Sequence, residues 1–196
     1  MSGLNTDHNK EMVMAFRSGV ATQISGSVVY LNNTVNWALT LILAALASLT
    51  ISDIPSAQFQ GVFFAALLIA VFHFFIRACK AYLNVIRFSL LDRETLSQIE
   101  SGNWIDAVQI IRNYYYNWLS PLPLHQVVSK VLFELGFFYF FAIVLGLVVY
   151  FTFSQGTSLY FPLIAIGFSM IEVYFGLFKS PYFRNVEVNE LAQRTK

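Results

Sequence analysis

LGFFYFFAIVLGLVVYFTF, residues 135–153, decides the fold. These nineteen residues carry no charge, close to the roughly 20 that a helix needs to cross a hydrocarbon core of about 30 Å. Three more runs share this character: 35–51, 59–76 (broken only by His73) and 159–178 (one charge, Glu172). In lipid only helices and closed barrels satisfy their own backbone hydrogen bonds. The runs are continuous rather than alternating in polarity, which selects helices over barrel strands.

Composition agrees. Of 196 residues, 57% are hydrophobic and 12% charged, with a mean hydropathy of +0.60. A soluble domain carries roughly 25% charged residues, so this chain has about half the charge that covers a water-facing surface. A net charge of +1 gives no basic face, and direct nucleic-acid binding is not expected. The single cysteine, Cys79, excludes a disulfide framework within the chain.

The linkers 52–58 and 154–158 contain no Lys or Arg. All twelve basic residues lie before the first run, between the second and third, or after the fourth. The positive-inside rule therefore predicts four transmembrane helices with both termini and the middle segment in the cytoplasm. The first run starts too late, behind too long a flank, for a cleaved signal peptide. The expected organisation of this all-α polytopic protein is an amphipathic N-terminal helix (1–34), a first transmembrane hairpin (35–80), a cytoplasmic helical segment (81–130), a second hairpin (131–178) and a cytoplasmic tail (179–196).

Before the first run, Ser18, Thr22, Ser25, Asn32 and Asn36 fall on one helical stripe and Val13, Phe16, Val20, Ile24, Val28, Leu31 and Val35 on another. The pattern fits an interfacial helix on the inner leaflet or a polar stripe lining a water-filled path. In the middle segment, Asp92 and Asn103 have the side chains of helix N-caps. A helix is expected to end near Leu91, and another to start near Pro123 and run into the third span. Trp104, Arg112, Tyr114, Tyr115, Tyr116 and Trp118 form an aromatic cluster with one cation. It reads as a headgroup belt, a packing surface or a partner contact rather than a platform for bases, since a basic groove is missing.

The ionisable residues near the membrane are the most informative. His73, Arg77, Lys80, Asn84 and Arg87 lie on one face of one helix, beginning in the bilayer and continuing past it. Arg77, Lys80 and Arg87 would form a basic stripe, snorkelling to lipid phosphates or facing a cytoplasmic vestibule. Glu172 precedes Lys179 by seven residues, about 10 Å of rise, and Glu134 and His73 each lie about one turn inside the cytoplasmic ends of their spans. The three are expected to form an intramembrane polar layer, because unpaired charge costs about 2.5–3.5 kcal/mol at the centre of a membrane helix and so faces a bundle interior or a water path. A structural network and an ion or proton path both satisfy that requirement. Small residues at four-residue spacing, Ala44/Ser48, Gly61/Ala65, Ala142/Gly146 and Ala165/Ser169, allow close helix contact.

No catalytic residues, metal ligands or cofactor are expected. His8, His73 and His125 lack metal-ligand spacing, and phosphate-loop, G-x-S-x-G and H-E-x-x-H patterns are absent. Cys79 beside Arg77 and Lys80 reads as packed or palmitoylated near the headgroups. Two functional readings follow. One is a small homo-oligomeric ion channel, pore or membrane-perturbing effector of a bacterial inner membrane; its general plan is similar to that of small multi-span effectors that bacteria use against phage. The other is a non-conducting anchor or scaffold that recruits a soluble cytoplasmic partner. The partners expected are the bilayer, further copies of the chain and, on the second reading, that soluble protein.

Overall fold

The computed structural model describes residues 2–48, 57–116, 124–154 and 158–179, and these are all-α. Six α-helices follow in order: α1 (Ser2–Ser48), α2 (Ala57–Glu100), α3 (Trp104–Tyr116), α4 (Leu124–Phe133), α5 (Phe137–Ser154) and α6 (Tyr160–Val173), the last continuing as a short π-helix, Tyr174–Phe178. Three helical runs, α1, α2 and Tyr160–Phe178, are long and apolar enough to cross a membrane, and the bent α4–α5 pair makes a fourth if it counts as one span. Linker residues 49–56 and 155–157, Trp118 and Pro123, and the tail after Lys179 lie outside the described residues.

The helix boundaries revise two sequence expectations. First, α2 does not stop near Leu91 but runs 44 residues to Glu100. Leu83, Arg87, Leu91 and Thr95, four residues apart, are all buried, so one continuous packed stripe runs through the expected break. Asp92 is therefore interior to a helix, and its carboxylate receives Arg17 rather than a helix N-terminus. The stop comes ten residues later, at Gly102, whose φ of 78° suits a residue without Cβ. Its N–H donates to Ile99 O and that of Asn103 to Gln98 O, 3.0 and 2.9 Å, the paired bonds of a Schellman ending. Asn103 does stand directly before α3, its carbonyl accepting from Ala107 N–H at 3.1 Å.

Second, the helix entering the third apolar run is broken. Between α4 and α5 the axis bends by 68°, and Gly136 takes a φ of 75°. The Tyr139 N–H then donates to Gly136 O at 3.0 Å, opening α5.

The chain divides into two compact units, with α1 and α2 contributing to both. One holds the described parts of Met1–Tyr30 and Ala81–Leu122. One cluster of its core joins Val13, Ala107 and Ile111, flanked by Phe16, Ile99, Trp104 and Val108, and Val20, Leu83 and Leu91 are buried in the same unit. The other holds the described parts of Leu31–Lys80 and Pro123–Arg184. Four helices feed its core: Ile42 and Ala45 from α1; Phe64, Leu67, Leu68 and Val71 from α2; Val144 and Val148 from α5; Ala165 from α6. Phe75, Phe137 and Phe141 interlock beside it, with Phe75 5.5 and 5.4 Å from the other two ring centroids.

This second unit has the polarity of a membrane bundle. The inward seam of α6 is made of small or polar residues, Ala165 and Ser169 fully buried and Glu172 and Gly176 half-buried. Its outward side, like that of α5, is large and apolar: Tyr150, Phe153, Leu163, Ile164, Phe168 and Phe175 are each more than half exposed. Where lipid tails are as apolar as leucine, helices gain by close backbone approach, and small residues take the interface. The expected pair Ala165/Ser169 forms such a seam, whereas Ala142 and Gly146 are exposed.

Candidate functional site

α2 and α6 run parallel, and two contacts set their register. Ile76 faces Gly176: a Cβ on that glycine would stand 2.8 Å from Ile76 Cγ2. One turn earlier, His73 Nδ1 lies 2.5 Å from Glu172 Oε1. The close approach that Gly176 permits is what lets these two side chains meet. An ionised carboxylate only accepts hydrogen bonds, so either the imidazole donates Nδ1–H to the carboxylate or a protonated Glu172 donates to the imidazole. Both arrangements place one proton between the two groups.

The pair is not sealed inside the unit. The His73 side chain is 51% exposed and that of Glu172 30%. Three residues before Glu172, on the same seam, the Ser169 hydroxyl is fully buried with no hydrogen-bond partner among the described residues. Polar atoms thus continue from the half-exposed pair inward along α6. A buried hydroxyl without a partner costs about 1–3 kcal/mol, so this line carries a penalty that an apolar seam would not.

Of the three residues expected in the polar layer, the structure joins two. Glu134 is elsewhere: it pairs with Lys130 at 3.4 Å, an i, i+4 contact with both side chains more than half exposed. The break at Gly136 explains the difference, since depth along a straight helix does not apply on the far side of a 68° bend.

The basic stripe of α2 changes character along its length. Arg77 is exposed, Lys80 half-buried, and Arg87 only 4% exposed. Arg87 therefore does not line an open vestibule of this chain; its guanidinium is packed inside the unit that holds α3. Asn84, between them, has a buried carbonyl oxygen without a hydrogen-bond partner among the described residues. The neighbouring Cys79 is fully buried, so the thiol presents no surface for a lipid anchor on this chain.

In the aromatic cluster, Trp104 is half-buried and Arg112 exposed. Lys10 Nζ sits 5.8 Å from the Trp104 ring centroid, within cation–π range. The side chains of Tyr114, Tyr115 and Tyr116, and the whole of Trp118, lie outside the described residues. The polar N-terminal stripe, Ser18, Thr22, Ser25, Asn32 and Asn36, is exposed throughout. Among the described residues no three His, Cys, Asp or Glu side chains gather as a metal site.

One contact had no warning in the sequence. Arg17 Nε donates to Asp92 Oδ1 at 2.8 Å, tying α1 to α2 across 75 residues of chain. That hydrogen bond chiefly raises the Arg17 pKa above its ordinary value, against a smaller opposing effect of burial and with help from the charges of Asp92 and Glu100. The guanidinium is thus held firmly in its charged form.

No protein-family model matches the chain. Neither a curated protein nor a solved structure matches it significantly.

Proposed function

We propose that the protein is an oligomeric integral membrane protein whose His73–Glu172 pair belongs to an ion- or proton-conducting layer. The observation that carries this reading is the half-exposed state of the pair on an otherwise apolar bundle. A titratable pair on a lipid-facing surface is expensive, so such groups face a partner helix or a water path. A second copy of the chain and a shared path between copies provide both. The shared proton between His73 and Glu172 gives the layer a group that exchanges it. In this arrangement the basic ends of the spans face the cytoplasm, with both termini on that side, as the distribution of Lys and Arg favours. The membrane is a plasma membrane of the bacterial inner type.

The test is ion and proton flux from liposomes containing the purified protein, across pH 5 to 8. Flux should exceed that of protein-free vesicles, and Glu172→Gln should alter its pH dependence or ion selectivity while oligomeric state stays unchanged. Absence of flux, with and without cytoplasmic extract, overturns the conducting reading.

A second reading is favoured by a different observation. The unit formed by Met1–Tyr30 and Ala81–Leu122 has its own core and an outward Ile105 that is 68% exposed. A membrane anchor that docks a soluble partner through this unit would leave the His73–Glu172 pair structural. Glu172→Gln would then lower assembly or thermal stability, with no current to alter.

A further inference from the structure

Beside the ion pair, α2, α5 and α6 leave an open groove of about 420 Å³. Leu68, buried, and Phe72 of α2 lie at its floor, Phe72 meeting Phe141 at 4.5 Å between ring centroids; Phe141 and Leu145 of α5 form one side, and α6 with the π-helix, from Ile166 to Phe178, the other. Among the described lining residues Tyr174 alone carries a hydroxyl. We propose that this groove binds one acyl chain of an anionic phospholipid, with the lipid phosphate held by Lys179 and the neighbouring basic residues of α2.

Three observations select that occupant. The first is length. From Ile166 to Phe178 is twelve residues, about 18 Å of helix rise. Half of a hydrocarbon core of about 30 Å is about 15 Å, so the groove has the length of one leaflet. The second is charge. Lys179 follows the last lining residue, and its Nζ lies 6.0 Å from the ring centroid of Tyr174, itself part of the wall. Because Ile76 faces Gly176 on parallel helices, Arg77 and Lys80 come level with that same end of the groove. An apolar trough one leaflet deep that ends at cations has the charge and polarity of an anionic lipid in reverse. The third is size. A helix with its side chains is about 10–12 Å across, too wide for a groove of 420 Å³, whereas a single hydrocarbon chain enters it. The π-helix contributes to the shape: its wider turn falls at Tyr174–Phe178, where Gly176 is pressed against Ile76 and Phe178 closes the groove. Such π-segments within α-helices are frequent at functional sites.

The inference rests on the membrane location of this bundle and is independent of conduction. Reconstitution into vesicles checks the first separately, because a protein that fails to insert yields no labelling at any position.

The experiment uses the full chain in phosphatidylcholine vesicles doped with phosphatidylglycerol bearing a photoactivatable acyl chain, and peptides are mapped after irradiation. Labels should concentrate on the groove lining near Phe72, Leu145 and Met170. Leu145→Trp fills the groove and should abolish that cluster, whereas Val149→Trp, one turn further along α5 and outside the lining, should leave it intact. Lys179→Gln leaves the walls unchanged and should lower the preference for phosphatidylglycerol over an equally reactive phosphatidylcholine about fivefold, the factor equivalent to about 1 kcal/mol per basic residue at a membrane surface. Labels spread evenly over exposed apolar residues such as Phe153, Leu163 and Phe168 overturn the proposal. So does clustered labelling that is indifferent to Leu145→Trp, or equal labelling by the two headgroups in the unaltered protein.

Discussion

Among the described residues each unit of this protein holds an ion pair between residues far apart in sequence, Arg17–Asp92 and His73–Glu172, and the two pairs differ in their surroundings. Arg17–Asp92 joins two charged residues, 28% and 32% exposed, on helices that carry further charges nearby. His73–Glu172 has comparable exposure, 51% and 30%, but its neighbours on α6 and α5 are large apolar side chains. In water the first pair has an alternative partner at every instant, and its breakage is cheap. In an apolar layer the second has none, and breaking it strands a charge. On the proposed membrane reading, the same chemistry is a modest fastener in one unit and a costly feature in the other.

The largest effect expected from this contrast comes from removing one member of the pair. His73→Leu leaves the Glu172 carboxyl without its partner and should lower stability by as much as about 2.5–3.5 kcal/mol, the cost of a lone charge at the centre of a membrane helix. Adding Glu172→Leu should restore the thermal midpoint to that of the unaltered protein or above it, since an ion pair in an apolar layer is often no more stabilising than apolar residues in its place. Thermal unfolding in detergent micelles reads both. A double variant no more stable than the single one would show that the pair does not stand in an apolar layer. The next effect is steric. Gly176→Val places a branched Cβ where Ile76 Cγ2 already stands, 2.8 Å away, and overpacking of this kind costs about 1–3 kcal/mol. Ile76→Ala in the same chain should recover part of the loss; no recovery would mean that α6 does not depend on this approach.

The sequence displayed the two units unequally, and the reason is physical. In lipid, composition is dictated residue by residue, and two of the four apolar runs nearly coincide with helices, while 35–51 and 59–76 fall within the much longer α1 and α2. The run 159–178 became α6 and its π-helix, and 135–153 became α5, displaced by one or two residues. Charges are rare there, so His73 and Glu172 stand out, and their contact was readable as an expectation. Outside the apolar runs, local preference competes with partners that sequence does not reveal. Asp92 has the side chain of an N-cap, yet Arg17 takes its carboxylate and α2 continues past it. Glu134 was placed by depth on an assumed straight helix, and one glycine at positive φ removed that assumption. The π-helix and the groove beside it left no pattern, because both depend on how α2 and α6 approach each other.

The smaller effects lie in the first unit. A double-mutant cycle with Arg17→Met and Asp92→Leu should give a coupling of about 0.2–1 kcal/mol, shrinking as salt is added. Its pH dependence follows from the sign of the Arg17 shift. The folded-state pKa is raised, so the stabilisation that belongs to Arg17 is fully present below its already high unfolded value. It is lost only as pH rises through the still higher folded value. Raising pH from 8 to about 10 should therefore leave Arg17 charged and the coupling undiminished, whereas salt weakens it. A coupling that decays with pH over that range would assign the contact to a different group.

The smallest effect separates two roles of one lysine. Lys10 Nζ lies 5.8 Å from the Trp104 ring centroid and 3.5 Å from Asp7 Oδ1. The Asp7 side chain is 79% exposed, so that ion pair is worth little. The ring contact, beside the buried cluster of Val13, Ala107 and Ile111, should carry about 0.5–1 kcal/mol. Lys10→Gln should thus cost more than Asp7→Asn when stability is followed by chemical unfolding. The difference should vanish in a Trp104→Leu background, where no aromatic face remains for the ammonium. Equal costs for the two single changes would transfer the contact to the ion pair, and the unit's edge would then be held by exposed charge alone, sensitive to salt throughout.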